Sequence, residues 1–131
     1  MLKKPWVVIN LTILFCSVAL VSFISTSYAQ VSAPQNLKVT VDSNEATLSW
    51  DAPENGTPAQ FFIYKAYASD TNADHTSLQF SKSDSTNLRF YTDDLSLTSK
   101  PAPVVFYYVT AVDSTGSESP KSGIVNAAPP K

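Results

Sequence analysis

From Leu37 onward the chain alternates apolar and polar residues in short runs separated by turn formers. Leu37-Lys38-Val39-Thr40-Val41 alternates strictly, Asp42-Ser43-Asn44 interrupts it, and Ala46-Thr47-Leu48-Ser49-Trp50 takes it up again. A period of two sends successive side chains to opposite faces of a strand, so Ala46, Leu48 and Trp50 are expected on one buried face. Pro53-Glu54-Asn55-Gly56-Thr57-Pro58 is a breaker-rich loop. Phe61-Phe62-Ile63-Tyr64-Lys65-Ala66-Tyr67 predicts a third strand with Phe61 and Ile63 inward. A polar stretch, Ser69 to Ser77, follows. Ser77-Leu78-Gln79-Phe80 is a weak strand candidate and Asn87 to Thr92 a stronger one. Val104 to Val112 is the most β-prone run of all. Asp113-Ser114-Thr115-Gly116 turns it back, Ile124-Val125 lies in the last strand, and Pro129-Pro130 ends it. No part of this region carries apolar residues at helical spacing. Seven short strands at such intervals predict an all-β sandwich.

The first residues follow another pattern. Lys3 and Lys4 precede a nearly unbroken apolar run from Val7 to Ile24, and Ser25-Thr26-Ser27-Tyr28-Ala29 comes after it. A positive start, an apolar segment and a small-x-small site together read as a secretory signal helix, residues 1–29, cut after Ala29. The mature domain is then 30–131, one module with a short Pro-rich tail. The apolar run is also long enough to span a bilayer, which takes about 20 residues, so membrane attachment is expected only if the signal stays uncleaved. Cys16, the only cysteine, follows Leu14-Phe15, where a lipid-attachment site would have a small residue. An exported domain without its own cysteine must be held by packing alone.

Eleven acidic residues face nine Lys and Arg, and two of those nine belong to the signal. Without a basic stripe to neutralise phosphates, nucleic acid is not an expected partner.

Five segments, in order, carry a family resemblance. These are Pro34-Gln35-Asn36-Leu37; Ala46-Thr47-Leu48-Ser49-Trp50-Asp51-Ala52-Pro53; Phe61 to Ala66; Phe90-Tyr91-Thr92-Asp93-Asp94-Leu95; and Tyr107 to Ser119. Together they resemble a fibronectin type III domain of the kind found in bacterial extracellular proteins. The resemblance covers nearly all of residues 30–129. It implies a seven-stranded, immunoglobulin-like sandwich with Trp50 at its centre, and a role in adhesion or partner binding. One departure stands out: Val105 occupies the position of the family's corner tyrosine, with Tyr107 two residues on and on the same face. The usual hydroxyl tether at that corner thus lacks its usual residue. Lys100-Pro101-Ala102-Pro103 is expected to stiffen the corner instead.

Candidate chemistry is sparse. His75 is the only histidine and lies in a polar loop, so a His-based nucleophilic triad has no evident base, and the acids sit mostly in turns. No enzyme activity is expected. Asp70-Thr71-Asn72-Ala73-Asp74 has the spacing of a calcium loop, with Asp70, Asn72 and Asp74 as ligands. The pattern fails further on, because His75 stands where the loop needs Gly and Ser81 where it needs Glu. The prediction is therefore a solvated turn and no cofactor. Asn55-Gly56-Thr57 has the form of a glycosylation sequon, and is read as a turn, which Asn-Gly favours strongly.

The aromatic residues offer more. Phe62, Tyr64, Tyr108 and Phe106 alternate with inward residues on two strands that neighbour one another in the resembled family. They are the candidate ligand face. Two functions fit: an exported interaction module that binds a protein, or a carbohydrate-binding module that stacks a sugar ring on the rings.

Overall fold

Strand formation follows the alternation where side chains decide it, and follows backbone pairing where they do not. A computed structural model describes residues 30–97 and 103–128. The strands are β1 (Gln35–Asp42), β2 (Glu45–Asp51), β3 (Gln60–Ala68), β4 (Ser81–Thr86), β5 (Phe90–Asp94), β6 (Val104–Val112) and β7 (Val125–Ala127), with a short 3₁₀ turn, Leu95–Leu97, between β5 and β6. They form two antiparallel sheets, β1-β2-β5 and β4-β3-β6-β7. This is the predicted seven-stranded sandwich. The expected leader 1–29 with its cleavage site and Cys16, most of the Lys100–Pro103 corner and the Pro129-Pro130 end lie outside the described residues. Among the described residues no helix is long and apolar enough to cross a membrane.

The core lies where the period-two reading puts it. Ala46, Leu48 and Trp50 point inward from β2, and Phe61 and Ile63 meet them from β3. Trp50 stands edge-on to Phe61, ring centroids 5.3 Å apart at 68°, an arrangement the ring quadrupoles favour. Its indole N–H is buried without a hydrogen-bond partner among the described residues, at a cost of about 1–3 kcal/mol. Val31, ahead of β1, is also buried in this core.

Two predicted strands move. Leu78 to Phe80 form a loop, and β4 begins only at Ser81. Its sequence, Ser-Lys-Ser-Asp-Ser-Thr, shows no alternation and buries almost nothing. It is a strand because its backbone pairs with β3, a contribution that side-chain pattern does not record. An extra residue, Ser83, interrupts the ladder between Asp84 (opposite Ile63) and Lys82 (opposite Tyr64), and its hydroxyl donates to the Ile63 carbonyl. β5 likewise starts three residues later than expected.

Tyr107 restores the corner that Val105 had put in question. Its ring is wholly buried, and its hydroxyl donates to Asp93 Oδ2 at 2.6 Å, on the other sheet. The Lys65 ammonium reaches both oxygens of the same carboxylate, at 2.9 and 3.1 Å. A buried carboxylate needs such partners, because burial without them is costly. Burial first, then the Asp93 bond and its charge, drive the Tyr107 hydroxyl far above its ordinary pKa. The tether of this domain is thus a hydroxyl–carboxylate–ammonium chain that ties β6, β5 and β3 together.

Candidate functional site

β3 and β6 run side by side through the middle of the larger sheet, with Tyr64 opposite Tyr108, Phe62 opposite Thr110 and Ala66 opposite Phe106. Since Phe61 and Ile63 point into the core, Phe62 and Tyr64 stand on the outer face. Tyr64 and Tyr108 are half-buried there and stack, centroids 4.6 Å apart at 18°. Phe80, delivered by the loop before β4, packs on Tyr108 at 4.8 Å. The Lys82 ammonium sits 3.9 Å above the Phe62 ring, and the Lys121 ammonium 5.8 Å from the centre of Tyr108. The face is therefore a group of rings flanked by two lysines, one over Phe62 and one over Tyr108.

One acid belongs to this group. Glu118 Oε1 accepts hydrogen bonds from the Tyr64 hydroxyl at 2.6 Å and from the Thr110 hydroxyl at 2.7 Å. Burial, and then the Glu118 bond, push the Tyr64 hydroxyl up to about 12. Burial and the Glu118 charge raise Tyr108 as well. The carboxylate thus fixes the Tyr64 ring in place. It leaves the two lysines without a carboxylate partner: among the described residues the ion pair is Lys65–Asp93.

Three of the four rings expected on the candidate face are there: Phe62, Tyr64 and Tyr108. Phe106 has the right parity but is completely buried. The 69–80 loop folds over that end of the sheet and lays the His75 ring against Phe106, centroids 5.2 Å apart. A ligand cannot touch Phe106; it supports the loop. Phe80 completes the face instead. Sequence alternation could not find it, because it reaches the sheet from a loop.

The Asp70, Asn72 and Asp74 segment turns on itself. Asp70 Oδ1 accepts from the Asn72 backbone at 2.8 Å, and Asp74 Oδ1 accepts from the backbone and hydroxyl of Thr76 at 3.0 and 2.8 Å. The backbone bond from Thr76, followed by its hydroxyl, holds the Asp74 carboxyl below the usual range. Among the described residues no group of three or more His, Cys, Asp or Glu gathers as metal ligands do. Elsewhere, a shallow depression at the β1–β2 turn is lined by Asp42, Ser43, Asn44, Glu45, Asp94 and Ser96. Phe90 is half-exposed on the opposite sheet, paired with Ser49.

No family model matches the sequence, and no curated protein sequence matches it. Solved structures do. An Fn3-like protein from Clostridium thermocellum aligns with 79% of this chain and 97% of its own at 21% identity, TM-score 0.54. The sixth fibronectin type III domain of human fibronectin type III domain containing protein 3 aligns with 77% of this chain and 88% of its own at 16% identity, TM-score 0.55. A structure of titin kinase and its flanking domains aligns with 76% of this chain at 17% identity, TM-score 0.59; the chain spans only 17% of that protein. At such identities the likeness is one of fold, and the fold is the fibronectin type III sandwich.

Proposed function

We propose that this fibronectin type III-fold chain is an exported, non-catalytic interaction module, and that the outer face of its β4-β3-β6-β7 sheet docks a protein partner bearing acidic side chains. The observation that carries the reading is the ring group itself. Phe80, Tyr108 and Tyr64 pack against one another, Phe62 shares their face, and all four are partly exposed; clustered aromatic surface of this kind marks contact sites. Lys82 over Phe62 and Lys121 over Tyr108 select for negative charge in the partner. Export rests on the leader pattern of residues 1–29.

Two other modes fit less well. A sugar ring needs an exposed aromatic face to stack on, and Tyr64 and Tyr108 turn their faces to each other. Strand addition would use the free edge of β4, and the Ser83 bulge and Lys82 are devices that blunt such an edge.

The test is affinity capture from the native envelope or medium, run in parallel on wild type, Tyr64→Ala with Tyr108→Ala, and Thr47→Glu on the opposite sheet. A partner held by two ring anchors should lose at least about tenfold in affinity in the double variant, because one hot-spot ring alone is worth about 2 kcal/mol. Thr47→Glu should bind as wild type. Retention on a polysaccharide panel, lost in the same double variant, would establish the sugar-binding alternative instead.

A further inference from the structure

The loop between β2 and β3 holds the chain's single Asn-Gly pair, Asn55-Gly56; the other asparagines precede Leu, Glu or Ala. Asn55 is exposed, and neither its carboxamide nor the Gly56 N–H makes a hydrogen bond among the described residues. Gly56 brings no side chain to hinder approach to its nitrogen. The backbone of Asn55, by contrast, is clamped. Its N–H donates to Ser32 Oγ at 3.0 Å, and its carbonyl accepts from the Ser32 N–H at 2.9 Å. The segment that supplies the clamp is anchored next to Ser32 by Val31, which is 1% exposed in the core. Gly56, at φ 81°, lies so close to this segment that an added Cβ would come within 2.8 Å of Val31 Cα.

We propose that Asn55 is a site of spontaneous deamidation, gated by release of the Val31–Ser32 segment. The Gly56 nitrogen attacks Asn55 Cγ and loses its proton. The new N–Cγ bond forms, the Cγ–Nδ2 bond breaks, and ammonia leaves with that proton. Water then opens the resulting succinimide at either carbonyl, giving aspartate or isoaspartate without any change of oxidation state. Attack requires rotation about the Asn55 backbone, which the Ser32 bonds resist, so the clamp must open first. Isoaspartate adds one carbon to the main chain at the clamped position. The modified loop can no longer hold Ser32 as before, and Val31 is left less firmly seated in the core.

The experiment ages the purified protein in mildly alkaline buffer, folded and in urea, and follows each asparagine by peptide mapping with mass spectrometry. Asn55 should convert ahead of every other described asparagine in the folded protein, several-fold more slowly than in urea. Ser32→Ala, checked for folding by circular dichroism, should bring the native rate toward the urea rate, and Asn55→Gln should abolish conversion at this position. Conversion of Asn55 no faster than of the other asparagines would overturn the site. Equal rates in native buffer and urea would overturn the gate.

Discussion

Tyr107→Phe isolates one oxygen atom and asks what it holds. The ring stays in place, so no cavity opens and the apolar area buried is unchanged. What disappears is the 2.6 Å hydrogen bond to Asp93, whose carboxylate is almost out of contact with solvent. Hydrogen bonds to a charged group contribute about 1.5–3 kcal/mol. The Lys65 ammonium still reaches both carboxylate oxygens, so Asp93 is not orphaned and the loss belongs toward the lower end of that range. Lys65→Met should cost more, about 3 kcal/mol, because it leaves a mostly buried carboxylate with a neutral partner only. Urea unfolding monitored by tryptophan fluorescence measures both values. In a domain of this size each kcal/mol also lowers Tm by about 4–8 °C. The double variant Tyr107→Phe with Lys65→Met should depart from additivity, since both residues serve one carboxylate. A Tyr107→Phe loss below about 0.5 kcal/mol, or strict additivity with Lys65→Met, would refute the claim that this chain is the corner tether.

Further outcomes follow from the same contacts. Tyr64 and Tyr91 are held at about 12, against an ordinary value of 10.0, in each case chiefly by burial. A folded pKa above the unfolded one favours the neutral form, so their contribution to stability is complete below pH 10 and lost as pH rises from about 10 to about 12. Alkaline urea titrations should show falling midpoints across that window, and a flat profile would contradict the burial of these hydroxyls. Calcium added at sub-millimolar concentration should evolve no binding heat, because Asp70 and Asp74 already accept backbone hydrogen bonds from their own turns. A saturable isotherm abolished by Asp70→Asn would show that the turn opens to a cation.

How much of this could be read from the sequence depended on whether side chains or backbone made the decision. β6 is legible because Val104–Val112 buries nearly every side chain, and β2 because Ala46, Leu48 and Trp50 alternate. β4 is illegible because its polar side chains record nothing of its pairing with β3. The placement of Phe62, Tyr64 and Tyr108 on the outer face was legible for a related reason. Alternation fixes the side of the sheet on which Phe106 lies, but not that His75 and its loop cover it, nor that Phe80 returns to the sheet. Asp93 was the deepest miss. Asp-Asp beside a turn reads as solvated surface, and only the three-dimensional approach of Lys65 and Tyr107 makes its burial affordable.

The central claim is that a partner docks on the ring group of the larger sheet. A photocrosslinking amino acid placed at Tyr64, and in a separate variant at Thr47, tests it in the native compartment. Docking on the ring group predicts a discrete cross-linked protein from position 64, suppressed by Lys82→Glu with Lys121→Glu, and none from position 47. The same adduct from position 47, or its persistence from position 64 after both charges are reversed, would contradict it.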